Sequence, residues 1–295
     1  MSAKKKLQVN WASDSPAKDY SLSLKHYERY LKDIGLQDST SEAYIRRVNN
    51  FLEFAQRDRP PLAIFNEFRN KLHERKLSRS TINNYSFAIK CYYKMLGEDV
   101  SFPFIRPNNQ IPYYFNEEEV AGIFRCCTNL KHMAMLKTLF YGCLRASELC
   151  NLDDRDVDLK SMVIRIRGGK GGRDGMVYIS HDCARTLREY LELRPPHMIN
   201  GLQPLFYTDF GRRWDRRDVN RMFKYYKKKA GIEKAGGVHV FARHTAASIL
   251  VANGCDLRHV KELLRHKDIR TTLRYANVGE KTLREKYDKF LTLGL

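Results

Sequence analysis

The sequence predicts two domains, the first all-helical and the second mainly α with a small antiparallel β-sheet. Three observations point to this arrangement. Apolar residues recur at spacings of three and four over most of the chain, the period of an amphipathic helix. Residues 157–166 and 176–179 alternate instead, on either side of a glycine-rich turn at 168–172, which is the pattern of a β-hairpin. Residues 101–114 carry three prolines and no helical period. Proline lacks an N–H and disfavours helix in the residue before it, so this stretch reads as an extended linker.

Residues 1–16 are polar, basic at the start and without periodicity, and read as a flexible arm. The first domain spans 17–100. Tyr27, Tyr30, Leu31 and Ile34 form one apolar face, which Gly35 ends. Ser39 and Thr40 open a second helix carrying Tyr44, Ile45, Val48, Phe51, Leu52 and Phe54. Pro60 and Pro61 break the chain before Ile64, Phe65, Phe68 and Leu72, and Ser78 caps a fourth helix with Ile82, Tyr85, Ile89, Tyr92, Tyr93 and Leu96. The second domain runs over 115–295. Asn116 and the glutamates after it start its first helix, with acids near the positive end of the dipole, and helical patterning continues to about Leu152. After the hairpin, Ser180 returns the chain to helices. These are interrupted near Gly211 and at Gly236 and Gly237, and end near residue 290.

The formal net charge is +19, from 53 Lys+Arg against 34 Asp+Glu. Residues 1–100 hold 18 basic and 12 acidic side chains and the remainder 35 and 22, so both halves carry an excess, as gripping a polyanion from two sides requires. Charge alone fits a nucleic-acid partner and a plain basic surface equally well. The seven cysteines form no C-x-x-C pair and sit mostly in apolar helical patterns, which suggests buried thiols in a reducing compartment. No Cys/His cluster has ligand spacing, so no metal is expected. The basic N-terminus is followed by no apolar stretch, and no run of about eighteen apolar residues occurs. A cytoplasmic protein with no membrane contact is expected.

Five residues fall in an order that has chemical meaning. Arg145 lies in G-C-L-R-A-S-E-L, Lys170 in G-G-K-G-G-R, and Arg243 opens R-H-T-A-A-S. His266 follows, and Tyr275 comes nine residues later. Tyrosine supplies an oxygen nucleophile, and cations stabilise the charge that builds on phosphorus oxygens under attack. Each arginine can donate paired N–H bonds to such oxygens with a permanent charge. Tyrosine ionises near pH 10 in water, so the cationic surroundings are expected to favour its ionised form. Glu148, one helical turn from Arg145, suits the task of orienting an arginine or a histidine. Each residue also has a plainer reading. Arg145 and Glu148 could be a structural ion pair in an apolar helix, the glycine turn a simple hairpin, and Tyr275 a packed aromatic. A nucleotide loop is disfavoured, because no Ser or Thr follows Lys170.

With these residues in place, the chain resembles the tyrosine recombinase/integrase family from about residue 17 to 290. The stretches S-T-S-E-A-Y-I-R-R-V-N-N-F-L-E-F and L-S-R-S-T-I-N-N-Y resemble its helical, SAM-like core-binding domain. C-L-R-A-S-E-L around Arg145, the turn at Lys170, R-H-T-A-A-S-I-L-V-A-N-G from Arg243, His266 and Tyr275 match its catalytic motifs. The resemblance implies a two-domain DNA clamp of tyrosine recombinase type, with a catalytic domain that closes on a C-terminal interaction helix. It implies catalysis by Arg145, Lys170, Arg243, His266 and Tyr275 without ATP, metal or other cofactor, through a 3′-phosphotyrosyl intermediate. Lys170 would be the general acid. The implied partners are double-stranded DNA with an inverted-repeat recombination site and further copies of the chain, as a tetramer on that DNA.

Two positions depart from the family pattern. Val240 stands three residues before Arg243, where the family has histidine or lysine, with His239 one residue earlier. Arg265 stands where glycine usually precedes the last histidine. His239 reads either as a displaced catalytic group or as a turn histidine. The absence of a separate N-terminal arm-binding domain suits a simple Xer-like system or a small integrase of a virus or mobile element. The rival functions are type IB topoisomerase-like strand cleavage and a non-catalytic DNA-binding protein on the same scaffold.

Overall fold

The computed structural model describes residues 19–106, 113–168 and 174–275. The chain divides into two compact units, Met1–Asn108 and Asn109–Leu295, and each has its own hydrophobic core. The fold is mainly helical with one small antiparallel sheet, as the sequence predicts.

The first unit packs α1 (Ser21–Asp33), α2 (Asp38–Ala55), α3 (Leu62–Glu74) and α4 (Arg79–Met95) around Tyr27, Leu31, Phe51, Phe65, Phe68 and Ile89. Ser78 caps α4, its Oγ accepting from Thr81 N at 3.2 Å. Buried tyrosines pack their rings in the core while their hydroxyls find backbone acceptors: Tyr27 donates to Ala88 O at 2.7 Å and Tyr93 to Pro60 O at 2.7 Å. Residues 101–106 form neither helix nor strand and are held on this unit. Asn83 donates to Ile105 O at 2.8 Å and accepts from Ile105 N at 3.1 Å, and Arg69 donates to Pro103 O at 2.7 Å.

The second unit opens with α5 (Glu117–Cys126), where Asn116 and Glu119 form a reciprocal capping box with both bonds at 2.7 Å. The helical pattern that continues to Leu152 is three helices rather than one: α5, α6 (Leu130–Tyr141) and α7 (Ala146–Cys150). Asn129 restarts the chain by capping α6, and Cys143 ends that helix by adopting a left-handed φ of 48°. Three strands then form an antiparallel meander: β1 (Val157–Asp158), β2 (Val163–Ile166) and β3 (Gly175–Tyr178). The single run at 157–166 is therefore broken. Asp158 Oδ1 accepts from Lys160 N and Ser161 N at 2.9 and 3.0 Å, closing a turn inside an alternating stretch. At the base of the glycine-rich hairpin, Arg167 binds Asp153 and Asp156 at 2.5 and 2.7 Å. Beyond the sheet lie α8 (His181–Leu193) and α9 (Arg216–Lys229), a π-helical turn at Val240–Thr245 leading into α10 (Ala246–Ala252), then α11 (Leu257–Leu263) and α12 (Arg270–Leu273). Among the described residues no helix is long and apolar enough to cross a membrane.

Candidate active site

The site is assembled at the π-helical turn. Gly236 and Gly237 bring the chain against α9, where Asn220 Oδ1 accepts from Val238 N at 3.0 Å. A Cβ on Gly237 would stand 2.5 Å from that oxygen, and Gly236 has a φ of 130°, so neither position takes a side chain without strain. From this anchor the chain enters a helix that widens to π geometry over Val240–Thr245. A π turn holds one residue more than an α turn, and such turns recur at functional sites. It is fixed from the opposite side by Phe115 N, which donates to Thr245 Oγ1 at 3.0 Å.

Arg243 projects from this turn and is only 2% exposed. Its guanidinium donates to Cys143 O at 2.7 Å and to Leu264 O at 2.5 Å, joining the α6–α7 turn to the end of α11. Burial, with Arg145 and Arg265 nearby, pushes its pKa down to about 10, and it remains a cation at neutral pH. Arg145 lies outside the apolar helix in which the sequence pattern sets it. With a ψ of 148° it occupies the N-cap position of α7. Its side chain is 24% exposed and is gripped by Glu148, Nη1 to Oε1 at 2.6 Å, while the backbone N–H of Arg145 donates to Oε2 at 2.8 Å. Arg265 donates to the same Oε2 at 2.7 Å. Burial pushes the Glu148 carboxyl up, but Arg265 and Arg145 together outweigh it and hold the group below the usual carboxylate range. Arg265 keeps a left-handed φ of 53°, which costs a non-glycine residue on the order of 1 kcal/mol.

Three histidines share this cationic surrounding. The His266 Nδ1 lies 2.9 Å from Thr272 Oγ1. Burial first, then Arg243 and Arg145, push its pKa down to about 4. His244 is also pushed down to about 4, by burial and then by His239. The His239 ring meets that of His244 edge-on at 5.0 Å, and its pKa is lowered by burial, Arg243 and Arg145. Its backbone is helical, so it stands at the start of the helix, while its side chain is exposed at the surface there. The Tyr275 ring is 2% exposed and its hydroxyl lies 2.6 Å from His244 Nδ1. Arg274 and Arg243 do favour the phenolate, yet burial outweighs them and raises the pKa to about 12. The nucleophile candidate is therefore a neutral phenol in this state, contrary to the expectation from charge alone.

Arg145, Arg243, His266, Tyr275 and Glu148 thus converge, and Lys170 lies outside the described residues. Sequence reasoning missed His244 and Arg265 as members of the cluster. The histidine directly after Arg243 was the signal for the first, and a charged residue in a glycine position was the signal for the second. Among the described residues, no group of three His, Cys, Asp or Glu side chains is arranged to hold a metal ion.

Residues 114–282 match the phage integrase family. Tyrosine recombinase XerA of Thermococcus kodakarensis is 32% identical over 276 residues, covering 90% of this chain and 94% of that protein. Tyrosine recombinase XerC of Thermodesulfovibrio yellowstonii is 37% identical over 161 residues, about half of each chain (53% and 53%). Among solved structures, the crystal structure of XerA recombinase aligns over 93% of this chain and 100% of its own, with a TM-score of 0.55 and 28% identity. The Tn1549 transposon integrase in complex with transposon right-end DNA aligns over 92% and 99%, with a TM-score of 0.73 and 18% identity, a likeness of fold. The chain belongs to the phage integrase family, the tyrosine-type site-specific recombinases.

Proposed function

We propose that the protein cleaves and rejoins DNA strands at a specific site through a covalent link to Tyr275. The observation that carries this reading is one cationic cluster in which Arg243 and Arg145 flank His266 while Arg243 and His244 flank Tyr275. The phenol oxygen attacks phosphorus and forms a 3′-phosphotyrosyl bond, while the 5′ oxygen leaves. The phenol proton passes to His244 Nδ1, already at hydrogen-bond distance. Lys170 gives the leaving oxygen its proton. Arg145, Arg243 and His266 stabilise the charge on the non-bridging oxygens, and removing one such donor costs about 10²–10³ in rate. Glu148 fixes the Arg145 guanidinium. The phosphotyrosyl bond retains the energy of the phosphodiester, so the released 5′-hydroxyl of a second strand can reverse the step without ATP.

His239 serves this site in the role the family gives to the position of Val240. The π-helical turn supports that assignment. The wider turn carries a histidine four residues before Arg243 about as far round the axis as an α-helix carries one three residues before it. Val240 instead packs against the main core.

Both units bind the duplex, in keeping with the excess of basic residues in each half of the chain. The helical unit is the core-binding domain. The catalytic domain extends from residue 115 to 295, and its C-terminal segment, which lies outside the described residues, docks onto a neighbouring copy. The recombination site is an inverted repeat, in keeping with the palindromic difH substrate of XerH, and a tetramer of the chain binds it. The XerA and XerC relatives favour a Xer-like role, and seven free cysteines suit the reducing cytoplasm. The test is adduct trapping on nicked duplexes tiled across the DNA flanking the protein's own gene. A covalent adduct followed by strand transfer supports recombination. An adduct that only reseals its own strand points to topoisomerase-like action, and tight binding with no adduct points to a binding protein.

A further inference from the structure

Arg265 occupies a backbone conformation that glycine adopts without strain, and yet it carries a long, largely buried side chain with 16% exposure. Its stem runs directly over Gly175 on β3, where a Cβ would come within 2.9 Å of Arg265 Cδ. Its head donates to Glu148 Oε2 at 2.7 Å. The remaining bonds to that carboxylate come from Arg145 itself, through its backbone N–H and its guanidinium. Among the described residues, Arg265 is therefore the group outside the Arg145 segment that holds the carboxylate in place.

We infer that Arg265 is a positioning residue for the reaction: through Glu148 it locks Arg145 to the loop that carries His266, and through Gly175 it locks that loop to the strand leading from the Lys170 hairpin. The inference rests on the functional reading above. A carboxylate gripped only by residue 145 turns with that residue. Gripped from a second segment, it fixes the direction in which the Arg145 guanidinium meets a phosphate. The bare Gly175 leaves room for the stem that makes this possible. Rate depends on such alignment more steeply than binding does, since a displacement of about 1 Å can cost on the order of 10² in rate.

Single-turnover cleavage by the full-length protein on the tiled nicked duplexes tests this. Arg265→Gly is expected to slow adduct formation by roughly 10- to 10²-fold while leaving DNA affinity unchanged. Arg265→Met keeps the stem over Gly175 but loses the bond to Glu148, and is expected to be as slow. Arg265→Lys, which can still reach the carboxylate, is expected to recover most of the rate. Gly175→Ala is expected to slow the otherwise native protein and to have no further effect in the Arg265→Gly background. Arg265→Met cleaving at the native rate would overturn the positioning role, as would a Gly175→Ala effect undiminished in the Arg265→Gly background. A native protein that forms no adduct on any duplex would remove the functional reading and this inference with it. Native cleavage with fast Arg265 variants would remove the inference alone.

Discussion

Replacing Glu148 by glutamine removes the negative charge that Arg145 and Arg265 share. The carboxylate accepts from Arg145 N at 2.8 Å, Arg145 Nη1 at 2.6 Å and Arg265 Nη2 at 2.7 Å, with its side chain 6% exposed. The amide can keep one acceptor bond, but its NH₂ group must then face a guanidinium. Stripping the charge from a buried pair typically costs about 3–5 kcal/mol, and the partial exposure of both arginines sets the expectation at the lower end, about 3 kcal/mol. For a unit of this size that corresponds to roughly 6–12 °C in melting temperature. The folded-state pKa of Glu148 lies below its ordinary value of 4.5, so its contribution is fully present above pH 4.5 and is lost as the pH falls through the folded value. Denaturation of the native protein and Glu148→Gln at pH 7 and at successively lower pH measures both effects. A wide gap at pH 7 that closes in acid is expected. A Glu148→Gln protein as stable as the native one at pH 7, or a gap independent of pH, would refute the carboxylate bridge.

Other outcomes follow from the same geometry. His239→Ala is expected to slow single-turnover cleavage by tenfold or more, about 1.4 kcal/mol of barrier, and a native rate in that variant would reduce His239 to a packing residue. Burial pushes His244 and His266 down to about 4 from an ordinary 6.5, so the folded protein binds fewer protons than the unfolded chain. Their contribution to stability is present above pH 6.5 and lost as the pH falls towards 4, and His244→Gln should flatten that part of a stability–pH profile. DNA affinity should fall steeply with salt in titrations at increasing salt, given a net charge of +19, and an affinity indifferent to salt would contradict binding through phosphates.

Where a structural signal is local, the residues themselves display it. The Asn116–Glu119 box, the Ser78 cap and the Ser180 cap all bond three residues along the chain, so each can be read as written. The position of Arg145 could not be read in this way. Apolar periodicity runs straight through 142–145, while the break depends on the left-handed Cys143, whose carbonyl is taken by Arg243 100 residues later. The partners of His244 and Arg265 lie 31 and 117 residues away, so neither sequence neighbourhood announces its role. His239 and Val240 look like a one-residue mismatch in the sequence, where nothing announces the π turn that is anchored through Asn220. The charges around Tyr275 were legible, but its burial was not, and burial decides the state of the phenol.

Tyr275 is proposed as the group joined to DNA. Mass spectrometry of the DNA-linked peptide, after trapping on a nicked duplex and digestion, tests it most directly. A nucleotide remnant on Tyr275 through a 3′ phosphate is expected, with no adduct from Tyr275→Phe, which keeps the buried ring and binds DNA as before. A remnant on any other side chain, or an undiminished adduct from Tyr275→Phe, would contradict the proposal.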